Sequence, residues 1–367
     1  MLNILIGVVI TIVLITIAAL IFIKVWSPVG GSVSSEDKKD YSKRADNYKN
    51  GKFINKTERS IMGSWSDPYF SRTTGKGKKP KDTLPAMESE ILGEFGKEDF
   101  TVTWFGHSTL LMQISGMNIL IDPVFSKVTS PVSFVGAKRF SPLGIKSDNL
   151  PHIDICIISH DHYDHLDYDS ILEINDKVDL FIVPLGIEKH LEKWNVSKDK
   201  IQNMAWWEEK EINGLTIGCT PGKHFSGRYL FDSGQALWAS WVFINDYIKV
   251  FETGDTGYSP HFEEIAEKYG DFDFVMTECA QYNKVWHDVH MFPEEAIEAV
   301  KTLGSSVVMP VHWGAFCLSN HSWDDPAERV TLYGEENGIT VLTPLLGQTV
   351  NWKQKESYQD RWWRKYN

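Results

Sequence analysis

The sequence predicts a layered α/β protein, two sheets covered by helices, standing behind an N-terminal membrane-spanning helix. Three observations predict it. Residues 2–23 form an uncharged apolar run; from about residue 100 short β-like runs form meanders and then alternate with helical stretches; one of those runs ends directly in a histidine cluster. Meanders followed by strand–helix units are the pattern of two packed sheets with helices outside.

The apolar run LNILIGVVITIVLITIAALIFI is broken only by Asn3, Thr11 and Thr16. About 20 apolar residues cross a bilayer as a helix. A secretory signal has a basic start, a shorter apolar core and a small-residue cleavage site. This segment has none of the three, so an uncleaved cell-membrane anchor is expected. No Lys or Arg precedes it, whereas Lys24, Lys38, Lys39, Lys43 and Arg44 follow. The positive-inside tendency then puts the catalytic part in the cytoplasm.

Residues 24–85 are polar and lack periodicity. SPVGGSVSSEDKKD reads as a flexible linker, and GSWSDPYF at 63–70 as a piece that packs on the body or meets the membrane surface. The catalytic domain is expected over 86–350 and a tail over 351–367. In that tail Trp362, Trp363 and Tyr366 alternate with Arg361, Arg364 and Lys365, a composition suited to a membrane interface and equally to an exposed end.

Strands are expected at 101–105, 109–115, 118–122, 153–159, 179–183, 215–220, 237–244, 247–252, 272–277 and 307–311. Helical periodicity marks 186–194 and 293–303, the latter opening on Pro293. Cys156, Cys219, Cys279 and Cys317 never pair as CxxC, and three sit in or beside apolar runs. They read as buried free thiols. With 49 acidic against 37 basic residues the net charge is −12, which disfavours a nucleic-acid partner, because phosphate binding rests on Lys and Arg.

The strongest chemical signal is His160-Asp161-His162-Tyr163-Asp164-His165 after an apolar strand. Histidines at i and i+2 on extended backbone point to one side. With a carboxylate and a third histidine within three residues, four ligands for a metal such as zinc leave one strand end.

HxHxDH in this position resembles the signature of the metallo-β-lactamase superfamily, and further elements follow in the family's order: His224 in TPGKHFSGR, Asp255 in ETGDTGY and His312 in PVHWGAF. The resemblance covers roughly residues 100–345. It implies the family's αββα sandwich and two zinc ions, with other divalent ions left open. His160, His162 and His224 would hold one ion, Asp164, His165 and His312 the other, and Asp255 would bridge them. Such a pair makes water a nucleophile near neutral pH.

TWFGHSTLLMQ, IDPVFS, GAKRFSPLG, FETGDTGY and HMFPEEA resemble a narrower branch, the N-acylphosphatidylethanolamine-hydrolysing phospholipases D and their bacterial relatives. That resemblance implies a membrane phospholipid as substrate, the bilayer as partner, and catalytic roles for His290 and for Asp164. His287 is a competitor for the place of His290. Asp122 would orient a ligand histidine, His107 would do the same or touch substrate, and Arg139 would pair with a phosphate. Trp286 and Trp313 would line a cleft for acyl chains. A homodimer is left open. The N-terminal helix departs from the mammalian pattern. The competing readings are a same-fold hydrolase of a soluble lactone or sugar phosphate, a nuclease of this fold, disfavoured by charge, and a non-enzymatic, membrane-tethered metal-binding module.

Overall fold

The computed structural model describes residues 2–58, 76–89, 91, 93–229 and 231–367; the segment at 63–70 lies outside them. Strands β1 (Phe100–Trp104), β2 (Leu110–Ile114), β3 (Met117–Ile121), β4 (Ile153–Ile157), β5 (Val178–Pro184) and β6 (Ile201–Met204) build the first sheet. The second contains β7 (Glu209–Ile212), β8 (Leu215–Thr220), β9 (Ser240–Ile244), β10 (Lys249–Glu252), β11 (Phe274–Glu278), β12 (Val307–Val311) and β13 (Thr340–Val341). β14 (Thr349–Asn351) returns to the first sheet. The orders are β6-β5-β4-β3-β2-β1-β14 and β7-β8-β9-β10-β11-β12-β13. Each sheet is half antiparallel meander and half parallel.

The strands read as near-continuous apolar runs because both faces are covered. In β2, Leu110, Met112 and Ile114 enter the core between the sheets, while Leu111 faces the outer cluster. That outer cluster holds Ile171 and Ile174 of α3 (Tyr168–Ile174) and Leu191 of α4 (Glu188–Lys193). Beyond the second sheet, α5 (His261–Tyr269), α6 (Pro293–Thr302) and α7 (Asp325–Glu336) bury Phe262, Ile297 and Val330. The expected αββα sandwich is therefore present.

Its N-terminus carries α1 (Leu2–Val25). Within Ile4–Val25 an 18-residue window has a mean hydropathy of 3.2, and none of the described side chains there is buried. Thr11 and Thr16 donate their hydroxyls to the Gly7 and Ile12 carbonyls, so neither polar side chain is unsatisfied in an apolar surround.

Three expectations are corrected. Residues 26–58 are not a flexible linker. Ser34 and Asp37 close a capping box that starts α2 (Ser35–Arg44), a short hairpin pairs Tyr48 with Phe53, and Tyr41, Tyr48 and Phe53 pack into the main core. Arg44, counted above as a flanking cation, grips Glu208 at 2.8 Å on the catalytic body. The end of the chain is neither an exposed tail nor a membrane contact in its tryptophans: Trp362 and Trp363 are buried, and Trp362 stacks on Trp313 at 5.5 Å. The strand expected from residue 237 begins at Ser240, because Leu237 and Ala239 donate their N–H groups across to Leu185 and Ser159.

Candidate metal centre

The chemistry-bearing residues follow the C-terminal ends of strands, along one rim of the sandwich. His107 lies between β1 and β2, Asp122 after β3, His160 to His165 after β4, His224 after β8, Asp255 after β10, and His312 after β12. The backbone is unusual here. His107, Asp122, Gln281 and His312 all have positive φ, between 42° and 69°, a conformation uncommon for residues other than glycine. Gly254, beside Asp255, has φ +53°, and a side chain there would press to 2.6 Å from the Ala239 carbonyl.

All seven expected ligand residues come together, in two groups. His160, His162, His224 and Asp255 offer ligand atoms within 4.8 Å of one another, and so do Asp164, His165, His312 and the additional His107. Asp255 faces both groups. Its Oδ2 stands 3.7 and 3.8 Å from His160 Nε2 and His224 Nε2, and its Oδ1 stands 3.3 Å from both His165 Nε2 and His312 Nδ1.

Neighbouring side chains fix these rings. Asp122 is fully buried and holds His165 Nδ1 at 2.7 Å, while the Ser159 N–H and hydroxyl donate to the same carboxylate. Asp122, expected to orient a ligand histidine, thus lies against His165. His107 Nε2 binds Asp164 Oδ2 at 2.8 Å, Ser108 Oγ lies 3.1 Å from His312 Nδ1, and His224 Nδ1 donates to the Val289 carbonyl.

Burial disfavours charge on the imidazoles. It holds His160, His224 and His312 well below the usual histidine value, and His107 and His162 down at about 4. These rings are neutral at pH 7, with lone pairs available. Burial also works against a charged His165, but Asp255, Asp164 and Asp122 outweigh it and push that histidine well up. Burial raises Asp255 to about 6, which leaves it mostly ionised at pH 7, and a bound cation would keep it so at lower pH. His165 Nε2, His312 Nε2 and Asp255 Oδ1 are buried without a hydrogen-bond partner in the protein, which is rare for such atoms. The donor set fits divalent metal.

A cavity of about 400 Å³ opens over these groups, lined among others by His162, Asp164, Asp255, Trp286, His290 and His312. His290 Nδ1 lies 2.9 Å from Glu278 Oε2 at the end of β11, and its ring stacks on His312 at 5.4 Å. The Thr256 and Met291 N–H groups donate to the other Glu278 oxygen. Sequence reasoning missed Glu278, whose only signal was a carboxylate ending an apolar strand.

Gln281 was missed too. It lines the cavity and donates to the His312 carbonyl at 3.0 Å. Its own N–H donates to His321 Nε2 at 2.8 Å, and burial holds His321 at about 4. The unfolded chain takes that proton below about 6.5, whereas the folded site refuses it until about 4. Stability should therefore be complete above pH 6.5 and decline by about 3 kcal/mol as pH falls to 4. Denaturant midpoints across this window check it: His321→Gln should flatten the slope, and an unchanged slope would contradict the assignment.

Not every candidate reaches the site. Arg139 points its guanidinium at the Val124 and Ser126 carbonyls and lies over the Phe316 ring, so it is absent from the cavity lining. His287 hydrogen-bonds Glu295 and half of its side chain is exposed. Trp286 lines the cavity, but Trp313 is buried between Trp104 and Trp362. An unforeseen contributor is Asn55, whose amide pairs both ways with the His224 backbone, at 2.8 and 3.1 Å. Asn55→Ala strands that N–H and carbonyl and should cost about 1–3 kcal/mol, read as a lowered denaturant midpoint at unchanged slope. An unmoved midpoint would mean that water replaces the amide.

Two sheets of this topology, with histidine–aspartate groups on one rim, define a metal-dependent hydrolase of the β-lactamase fold. Comparison agrees: the sequence model of the beta-lactamase superfamily domain matches residues 117–313, and the chain belongs to that superfamily. Within it the chain stands in the branch of the N-acyl-phosphatidylethanolamine-hydrolyzing phospholipases D. It is 33% identical to phospholipase D 1 of that name from Caenorhabditis elegans over 253 residues, 65% of this chain and 71% of the other. An uncharacterized protein of Mycobacterium tuberculosis is 37% identical over 320 residues, 84% of this chain and 85% of that one. A metallo hydrolase structure from the archaeon Ignicoccus hospitalis covers 69% of this chain and 98% of its own, with a TM-score of 0.54 and 23% identity, a likeness of fold.

Proposed function

We propose that the chain is a membrane-anchored phosphodiesterase that hydrolyses a phospholipid on the head-group side, with N-acylphosphatidylethanolamine as substrate and N-acylethanolamine and phosphatidic acid as products. His160, His162 and His224 would hold one zinc ion, Asp164, His165 and His312 a second, and Asp255 would serve both. The observation that carries this is Asp255, which turns one oxygen to each group on the floor of a cavity that His290 overlooks. The ions would supply an activated water and neutralise charge on the phosphate.

The chain's own residues do the rest. Asp122 and the pair formed by His107 and Asp164 keep their partners in register. Glu278 fixes the His290 ring by its Nδ1, so the opposite edge meets substrate. In the reaction water adds to phosphorus, the bond from phosphorus to the head-group oxygen breaks, and the departing alkoxide takes a proton. His290 would deliver that proton. The lipid class is carried over from the named relatives, and α1 would keep the site near lipid, on the cytoplasmic face if Lys24 obeys the positive-inside tendency. Thiol-labelling of exposed cysteine variants in intact cells tests the sidedness, and labelling from outside would reverse it.

The test of the reaction is product analysis by mass spectrometry after incubation with mixed micelles of N-acylphosphatidylethanolamine and phosphatidylethanolamine. N-acylethanolamine and phosphatidic acid are expected in the metal-loaded sample alone. Intact lipids alongside rapid hydrolysis of a soluble lactone would favour the soluble-substrate reading.

A further inference from the structure

Helix α1 does not join the catalytic body by a free tether. Just past its end, the Trp26 indole N–H donates to the Pro131 carbonyl at 2.6 Å. Trp194 Nε1–H donates to the Ser27 carbonyl and Lys193 to that of Gly30, both at 2.7 Å. Buried Arg228 then clasps the Pro28 and Val29 carbonyls. The foot of a helix long enough to span a bilayer is thus fixed against the loop 130–136.

That loop carries Phe134, 82% exposed, and Val135, 57% exposed. Leu172, another exposed apolar side chain, borders the same cavity as Val25, Trp26 and Pro131, a space of about 1000 Å³ between helix foot and loop. Exposed apolar side chains gathered in one place mark an interaction surface. The helix identifies the occupant. Twenty-two residues of α1 span about 33 Å, the thickness of a bilayer core, so its foot stands at the lipid surface. Phe134 is three residues from Pro131, within about 10 Å of chain. Lys24 and Lys138 are exposed nearby in sequence, and the cavity under the foot is lined by Lys127 and Arg228 as well as by Asp167, Asp169 and Glu173, a mixed set of charges. The contact is therefore apolar insertion, not attraction to net charge.

The loop also leads to the site. It is the tip of a small hairpin pairing Thr129 with Ala137, and Thr129 lines the metal-side cavity. Tyr163 borders both cavities. We propose that loop 130–136 dips Phe134 and Val135 into the bilayer surface beside the foot of α1 and guides lipid head groups past Thr129 and Tyr163 to the metal centre. The guiding role rests on the phospholipid reading above; the insertion does not.

The experiment uses the full chain reconstituted in lipid vesicles, with an environment-sensitive dye on Val135→Cys or on Tyr247→Cys. Tyr247 sits in the β9–β10 turn, at the opposite end of those strands from Asp255. Lipids brominated in their acyl chains should quench the dye at 135 several-fold more than at 247, and equal quenching overturns the insertion. In parallel, the double variant Phe134→Ser/Val135→Ser should lose about tenfold in kcat/KM on vesicle lipid and keep hydrolysis of soluble bis(p-nitrophenyl) phosphate within twofold. No loss on vesicles, or an equal loss on both substrates, overturns the guiding role. If the unaltered chain cleaves the soluble diester but no lipid, the phospholipid reading falls and quenching alone decides the insertion.

Discussion

Asp255→Ala is expected to lower kcat/KM by at least about 10³-fold and to reduce bound metal below that of the unaltered chain. Loss of a group that only orients a ligand typically costs 10–100-fold. Asp255 should exceed that, because its two oxygens face two different groups of ligands. Removing it also leaves the raised His165 without one of the three carboxylates that favour its charge. Asp122→Asn is the internal comparison. It weakens the hold on His165 Nδ1 without touching the convergent atoms, and should fall in the 10–100-fold range. Metal content by elemental analysis and steady-state rates read both variants. Full metal and full activity in Asp255→Ala would refute its place at the centre.

His290→Ala should lower kcat by about 10²–10⁴-fold, the usual scale for a positioned proton donor, with metal content unchanged. Glu278→Gln should follow in the same direction by a smaller factor, since it keeps the shape and changes only the group that meets His290 Nδ1. The choice of leaving group separates this from simple disruption. A p-nitrophenolate leaves without a proton, so diesters bearing it should suffer much less than a lipid with an alkoxide leaving group. His290, Glu278, Asp255 and His312 also lie within ligand distance of one another. A loss of metal in His290→Ala, with equal losses on both substrates, would make His290 a ligand instead.

Much of this centre was legible in the sequence because its residues are local or mark strand ends. The HDHYDH cluster supplies four groups from one loop, and His224, Asp255 and His312 each follow a recognisable apolar strand. The strands were legible for the same reason, apolar runs buried on both faces. What escaped notice depends on distant partners. Arg139 reads as a phosphate ligand by residue type, yet backbone carbonyls of its own loop take its Nε and Nη2 donors. Nothing local distinguishes His287 from His290; the difference is that Glu295 captures one and Glu278 the other.

The polar stretch SEDKKDYSKR has no apolar stripe, so its helix is set by the Ser34 cap and by Tyr41 reaching a core assembled from the rest of the chain. The tryptophans at the C-terminus look interfacial in sequence because their cover, Trp313 and Trp323, comes from elsewhere. Asn55, far from any motif, matters only because folding sets it against His224.

The measurement that tests the central claim most directly is a metal titration of the metal-stripped full chain, followed by hydrolysis of N-acylphosphatidylethanolamine in micelles. Activity should be absent at the start, rise with added zinc and level off at two equivalents per chain. Full activity in the stripped protein, or no lipid hydrolysis at any zinc level, would contradict the account.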